Sequence, residues 1–533
     1  MNNGSSSNKR AEIFELLIVV ILSAVFVLSI TIGFGTMSSG WHLVDDHQFF
    51  RYLADFKYNG KSLLDVIKSE LIRDITTQHR ARLLYYTTRV PQAYLFGYNS
   101  IPYYVIKSVE AIIAMIYLYY VGRELGLGIY ISGLFSIIVL TGLQSPVWWK
   151  LGPQNLQAQM FLAIGFYYMI DHLKTRRKVS QVVSLVAFTI MANFHESFIV
   201  ILPFIAVFII FYELKTSYKG EKLSIKLLFE IIKKNIVSIG VLFIVCVSLV
   251  LFIFLVVDVH GYGFVQENYS LKQVFINMFE SLVVGDLKYY WWFGTLLLII
   301  LASFYNGIRP LWPAIVVSLS FFTPELYLYK SEGFYERYLL PMTFGWGLMF
   351  ICGAYGMKII TGFRKIIYTS LLSIMVLFLV RSAIVEADYY RFRGESVTAM
   401  LEETLALSEE GYNVVSSLGT CNPEADMTVS EWMLSHCDDD VWYWHESVKE
   451  IMDVCPYISN QGEKLQFSDV DLFIAYNTND RHYTMNPTVD LSGFHLVKCG
   501  SLNLYFSDRV YETLSEEDLE RFSIKPTIYG IGA

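Results

Sequence analysis

Asp45-Asp46-His47 places two adjacent carboxylates and an imidazole a dozen residues beyond the first long apolar run of the chain. Acidic pairs are costly beside hydrocarbon, so their position at a membrane exit calls for a chemical reason. One carboxylate can take the proton of an attacking hydroxyl, and its pKa rises when it lies near a bilayer. The other can orient the acceptor or hold a divalent cation such as Mg2+ or Mn2+. Arg80, Arg82 and Arg89 precede the second apolar run, and Glu332, Glu336, Arg337 and Tyr338 precede a late one. Arginine forks match phosphate oxygens, so these cations suit an anionic leaving group. Trp148, Trp149 and Lys150, then Gln154 and Asn155, follow the third run, and His195-Glu196 separates the fifth from the sixth. The tryptophan rings could stack on a sugar. As a group these arginines read first as contacts to lipid headgroups; of the three, Arg82 is the first choice for a donor phosphate.

Each residue also has a plainer reading. Asp45-Asp46 could cap a helix starting near Phe49, His47 could be only a neighbour, and His195-Glu196 could cap a span end. Trp148-Trp149 fit an interfacial aromatic belt, and Arg337 fits a snorkelling anchor.

The elements that must hold these groups are membrane helices. The chain has 533 residues, 54% hydrophobic and only 17% charged, and its apolar residues cluster in bilayer-length runs. Spans are expected at 13–33, 101–121, 127–144, 155–171, 180–194, 197–213, 236–257, 291–305, 311–328, 338–356 and 366–386. The first is too long for a cleaved signal peptide and reads as a retained anchor. Basic residues gather in alternate connectors, from Lys9-Arg10 to the Lys358/Arg364/Lys365 loop. The positive-inside rule makes those connectors and the N-terminus cytoplasmic, and an odd number of spans puts the tail outside. The groups named above then share the outer face of the plasma membrane. A net charge of −8 argues against a nucleic-acid partner.

The expected architecture is an all-α polytopic membrane domain over residues 1–387, with about 11 transmembrane helices, followed by a small α+β extracytoplasmic domain over 388–533. Residues 34–100 form the first exterior loop. Within it, 62–72 has apolar residues at helical spacing and reads as an interfacial helix; a second such segment follows Gln78, and 223–232 reads similarly on the cytoplasmic side. In the tail, 397–407 and 446–452 read as helices, and 414–417, 471–476 and 502–506 as strands. Cys421, Cys437, Cys455 and Cys499 all fall in the tail, an even number that fits disulfides in an oxidising compartment, with four free thiols as the plainer alternative.

An acidic pair soon after span 1, interfacial helices in that loop and many spans with an exterior tail resemble the GT-C superfamily of membrane glycosyltransferases. Glu336-Arg337-Tyr338-Leu339-Leu340-Pro341 is similar to the Arg-Tyr-x-x-Pro element of several of its families. Over residues 1–386 the layout resembles the protein mannosyltransferase and aminoarabinose transferase branches. The resemblance implies that Asp45 or Asp46 is the catalytic base or a metal-site residue and that Arg337 holds a lipid-linked phosphate. The substrates it implies are a polyprenyl-phosphate sugar donor and a cell-envelope glycan, lipid or protein acceptor, with membrane lipids around the site. His47, Trp148, His195, Glu196, Glu336 and Tyr338 are then the expected substrate contacts. Two alternatives stand beside this reading. A transporter or flippase of lipid-linked sugars would need charges at the midplane and repeated, broken helices. A polysaccharide polymerase or ligase would need a long, arginine-rich late loop.

Overall fold

The computed structural model describes residues 4–142, 146–218, 224–257, 362–420, 422–437, 440–456, 461–477 and 488–528, with Ser459 and a few single residues between 270 and 348. The expected spans at 291–305 and 311–328, most of 338–356, and Glu336, Arg337 and Tyr338 lie outside the described residues.

Apolar runs become helices where they are expected: α1 (Gly4–Thr31), α5 (Ile101–Glu124), α6 (Ile129–Leu140), α8 (Asn155–Thr175), α9 (Lys178–Phe194), α10 (Leu202–Thr216) and α12 (Ile236–Phe252). Four segments are long and apolar enough to cross a membrane: Arg10–Thr31, Ile101–Glu124, Glu196–Thr216 and Ile236–Val257. Ile129–Leu140 and Lys178–Phe194 are apolar but shorter, so the expected total of eleven is not reached among the described residues. Small residues let these helices approach closely. A Cβ on Gly122 of α5 would lie 2.9 Å from the Ser132 hydroxyl of α6, and one on Gly165 of α8 would lie 2.4 Å from the Phe188 ring of α9.

Between α1 and α5 run α2 (His47–Lys57), α3 (Leu63–Thr76) and α4 (Tyr85–Phe96). Ser62 starts α3 through a capping box with Asp65, which satisfies two end donors reciprocally. Leu64 and Ile72 of α3 and Tyr94 and Leu95 of α4 remain exposed, as expected of helices lying along an interface. The segment α11 (Ile225–Lys234) repeats the pattern, burying Leu227 and Ile231 while exposing Ile225 and Phe229.

Helix α13 (Phe363–Glu409) carries the chain from the last expected span into the tail without a break across residue 388. At 1.5 Å per residue it is about 70 Å long. The tail beyond it is α+β. Its sheet has seven strands: β1 (Val414–Ser416), β2 (Trp442–His445), β3 (Glu450–Met452), β4 (Lys464–Leu465), β5 (Leu472–Tyr476), β6 (His495–Cys499) and β7 (Leu502–Phe506). Their order is β4-β3-β2-β1-β5-β7-β6, and β1 pairs in parallel with β2 and β5. Helix α14 (Pro423–Cys437) links β1 to β2. The expected helix at 446–452 is instead the turn (446–449) and second strand of the β2–β3 hairpin. Lys449 adopts φ 58, which a helix does not tolerate, and Glu446 accepts from Trp444, Lys449 and Thr488, which locks the turn.

The disulfide expectation fails at Cys499. Its thiol is fully buried and donates to the Ser396 carbonyl at 3.4 Å. Cys437 donates to Met433 in its own helix, and Cys421 lies outside the described residues. Burial pushes the Cys499 thiol up to about 12, so it is expected to resist maleimide until the tail unfolds. Rapid modification of the native protein at Cys499, read by mass spectrometry, would contradict its packing.

Asp426, near the start of α14, accepts from the Ser416 hydroxyl at 2.6 Å and is completely buried. Burial pushes its carboxyl up to about 7, against the lowering effect of Ser416. The folded state therefore holds a proton that the unfolded chain releases near pH 4, and this contribution to stability declines from pH 4 to 7. Asp426→Asn is expected to flatten the fall in melting temperature over that range; an unchanged profile would place the proton elsewhere.

Candidate active site

The chain leaves α1 through tight turns. Gly35 and Gly40 have φ 69 and 78, and Asp45 follows with φ 73, an uncommon conformation for a residue with a side chain. That backbone turns the two neighbouring carboxylates apart. Asp46 is fully buried: its Oδ2 accepts from the His42 backbone N–H at 2.9 Å, while Oδ1 has no partner. Asp45 keeps about a quarter of its side chain exposed and pairs with Lys150 Nζ at 3.0 Å. Gly152 makes this approach possible, since a Cβ there would lie 2.1 Å from that of Asp45.

Arg89 joins the same point from α4. Its guanidinium donates to the carbonyls of Gly152 (3.0 Å) and Asp45 (3.2 Å) and lies 4.1 Å from the Phe49 ring centroid and 4.8 Å from that of Tyr85. It is buried, its Nε has no hydrogen-bond partner, and among the described residues no carboxylate forms an ion pair with it, although Asp46 and Asp45 act on it at longer range. Burial lowers its pKa from the ordinary arginine value, yet a guanidinium stays protonated. Arg89 lines a narrow cleft with Lys107, Gln92, Gln154, Gln157 and Tyr103. Lys107 donates to the Pro153 carbonyl, and the Gln157 amide donates to Glu110 at 3.0 Å.

Arg82 has different surroundings. It forks onto the buried Asp74, also donates to Gln78 at 2.9 Å and Tyr86 at 3.2 Å, and stacks 4.6 Å from the Tyr85 centroid. Burial alone would lower its pKa, but Asp74 overrides this and holds it well above the ordinary value. Arg51 of α2 is likewise held, by Glu70 at 2.7 and 2.9 Å. His47 is buried, and burial followed by Arg51 depresses its pKa well below the usual imidazole value, so the ring is neutral at pH 7.

His195 Nδ1 accepts from the backbone and hydroxyl of Ser197, at 3.2 and 2.8 Å. Glu196 accepts from the Ala81 N–H at 2.9 Å, and Leu84 donates to the Asn193 carbonyl at 3.0 Å. The His195-Glu196 turn thus docks onto the connector that carries Arg82. Trp148 and Trp149, on the short helix α7 (Pro146–Trp149), are buried in the membrane-domain core, their centroids 5.2 Å apart, rather than forming an aromatic belt at the surface.

The structure therefore gathers Asp45, Asp46, His47, Arg89 and Lys150 at one end of the helix bundle, with Arg82, His195 and Glu196 one layer away. Among the described residues, no three His, Cys, Asp or Glu side chains are grouped to hold a metal ion. Sequence reasoning passed over Lys107 and Glu110, although a charged pair inside an apolar run is a signal in its own right. It also passed over Asp74, whose pairing with Arg82 separates that arginine from Arg89.

No protein-family model and no curated protein sequence matches the chain. Thirteen solved chains match in structure. One is ArnT from Cupriavidus metallidurans bound to undecaprenyl phosphate, similar over 92% of this chain and 97% of its own, with 10% identity and a TM-score of 0.47.

Proposed function

We propose that this chain is an integral membrane glycosyltransferase that moves a sugar from a polyprenyl-phosphate donor to a cell-envelope glycan, lipid or protein on the outer face. The observation that carries this reading is the meeting of a part-exposed carboxylate, Asp45, with a buried guanidinium, Arg89, that forms no ion pair with a carboxylate among the described residues. A base beside an anion site is what hydroxyl attack on a phosphate-linked sugar requires.

The reaction is a single inverting displacement. The acceptor oxygen bonds to the anomeric carbon as the bond from that carbon to the phosphate oxygen breaks. Its proton passes to Asp45, and the electron pair leaves with the polyprenyl phosphate, whose charge Arg89 offsets together with Arg337. Lys150 holds Asp45 in place through their ion pair. Asp46 locks the turn through the His42 amide. The exterior placement of the tail and the cytoplasmic N-terminus rest on the distribution of basic residues.

The test is transfer of radiolabelled sugar by the purified protein from a panel of polyprenyl-phosphate sugars. Transfer or donor hydrolysis supports the enzyme. Saturable headgroup binding with no turnover on any donor favours a transporter of lipid-linked sugars.

A further inference from the structure

The turn that carries Asp45 is held from two sides by the C-terminal part of the chain. On one side stands α13. The Trp41 N–H donates to the Thr398 hydroxyl at 2.8 Å, and the His42 ring meets the Tyr390 carbonyl at 3.0 Å. The approach is tight: a Cβ on Gly40 would lie 2.0 Å from Thr398 Oγ1, and one on Gly394 would lie 2.6 Å from the Ser39 carbonyl oxygen. On the other side stands α14. The Thr428 hydroxyl lies between the Glu424 carbonyl of its own helix and the Leu43 carbonyl, two residues before Asp45.

The hold continues along the whole of α2, with which α14 runs parallel. Trp432 meets Phe50 edge-on at 4.9 Å, and Arg51, clamped by Glu70, also reaches Glu431 at 3.7 Å. At the far end, Lys57 and Tyr58 donate to the His436 carbonyl at 2.6 Å, and Tyr98 donates to the Ser435 carbonyl at 2.7 Å. Three side chains of the first loop therefore cap carbonyls at the last turn of α14, where a helix leaves them unsatisfied and favours a cation.

We infer that the C-terminal domain is the positioning half of the active site: Thr398 and Thr428 set the backbone on which Asp45 stands. This rests on the proposed transfer reaction. A misplacement of about 1 Å at a reacting group can cost on the order of 100-fold in rate, so loosening either anchor should act on turnover rather than on donor affinity.

The experiment compares full-length wild type with Thr398→Val and Thr428→Val, singly and together, and with the two Ser variants. Valine keeps the shape and removes the hydroxyl; serine restores the hydroxyl. The double Val variant is expected to lose about tenfold or more in kcat with the donor KM within twofold, and Ser is expected to recover most of the loss. Amide exchange of residues 40–46 should quicken in the Val variants alone. Wild-type kcat in the double Val variant, or a loss that Ser does not recover, overturns the inference. If wild type transfers no sugar, the functional reading fails, and the exchange rates decide the clamp by themselves: unchanged exchange overturns it.

Discussion

Asp45→Asn is expected to lower sugar transfer by on the order of 10²- to 10⁴-fold, the usual size of a general-base contribution. Donor KM should change little, because the phosphate contacts lie on other residues. The fold should survive, since Asp45 is part-exposed and its partner Lys150 keeps a neutral acceptor. Asp46→Asn provides the contrast. Its amide oxygen can still accept from the His42 N–H, so activity should fall only a few-fold while the melting temperature drops. Both are read in the radiolabelled transfer assay beside thermal unfolding. Near-normal turnover by Asp45→Asn with loss in Asp46→Asn would exchange the two roles.

The second large effect concerns stability. Arg82→Ala leaves Asp74 buried without its partner, which costs about 3–5 kcal/mol in comparable pairs, and should leave little folded protein in detergent. Replacing both members by apolar residues, Arg82→Met with Asp74→Leu, removes the orphaned charge and should recover most of the stability. A folded double variant that still transfers sugar confines Arg82 to holding α3 against α4. A folded double variant that has lost donor binding makes Arg82, not Arg89, the phosphate ligand.

These contrasts show where the sequence is legible and where it stops. Apolar run length marks the helices, and Ser62 with Asp65 marks the start of α3, because both are local signals. Asp45-Asp46 is visible as a pair. Which of the two stays part-exposed and which is buried depends on the left-handed backbone at Asp45 and on Gly152, more than a hundred residues away. Arg82 and Arg89 look alike in sequence, and only the approach of Asp74 from α3 tells them apart. Lys107 and Glu110 were readable as a charged pair within an apolar run. The hairpin at 442–452 was not, because spacing alone does not separate a short strand pair from two turns of helix. The anchoring of the first loop by Thr398 and Thr428 joins residues over 350 positions apart and leaves no local trace.

On the proposed function, helix α13 would make the bilayer a mechanical input to the chemistry. It runs unbroken from the last expected span toward the C-terminal sheet and touches the Asp45 turn on the way. A rod of about 70 Å that swings through about five degrees moves its far end by about 6 Å, and helices tilt in response to bilayer thickness. On the proposed function, the Asp45 turn rides on a lever whose short arm is set by the lipid, and the acyl-chain length of the host membrane is expected to alter turnover.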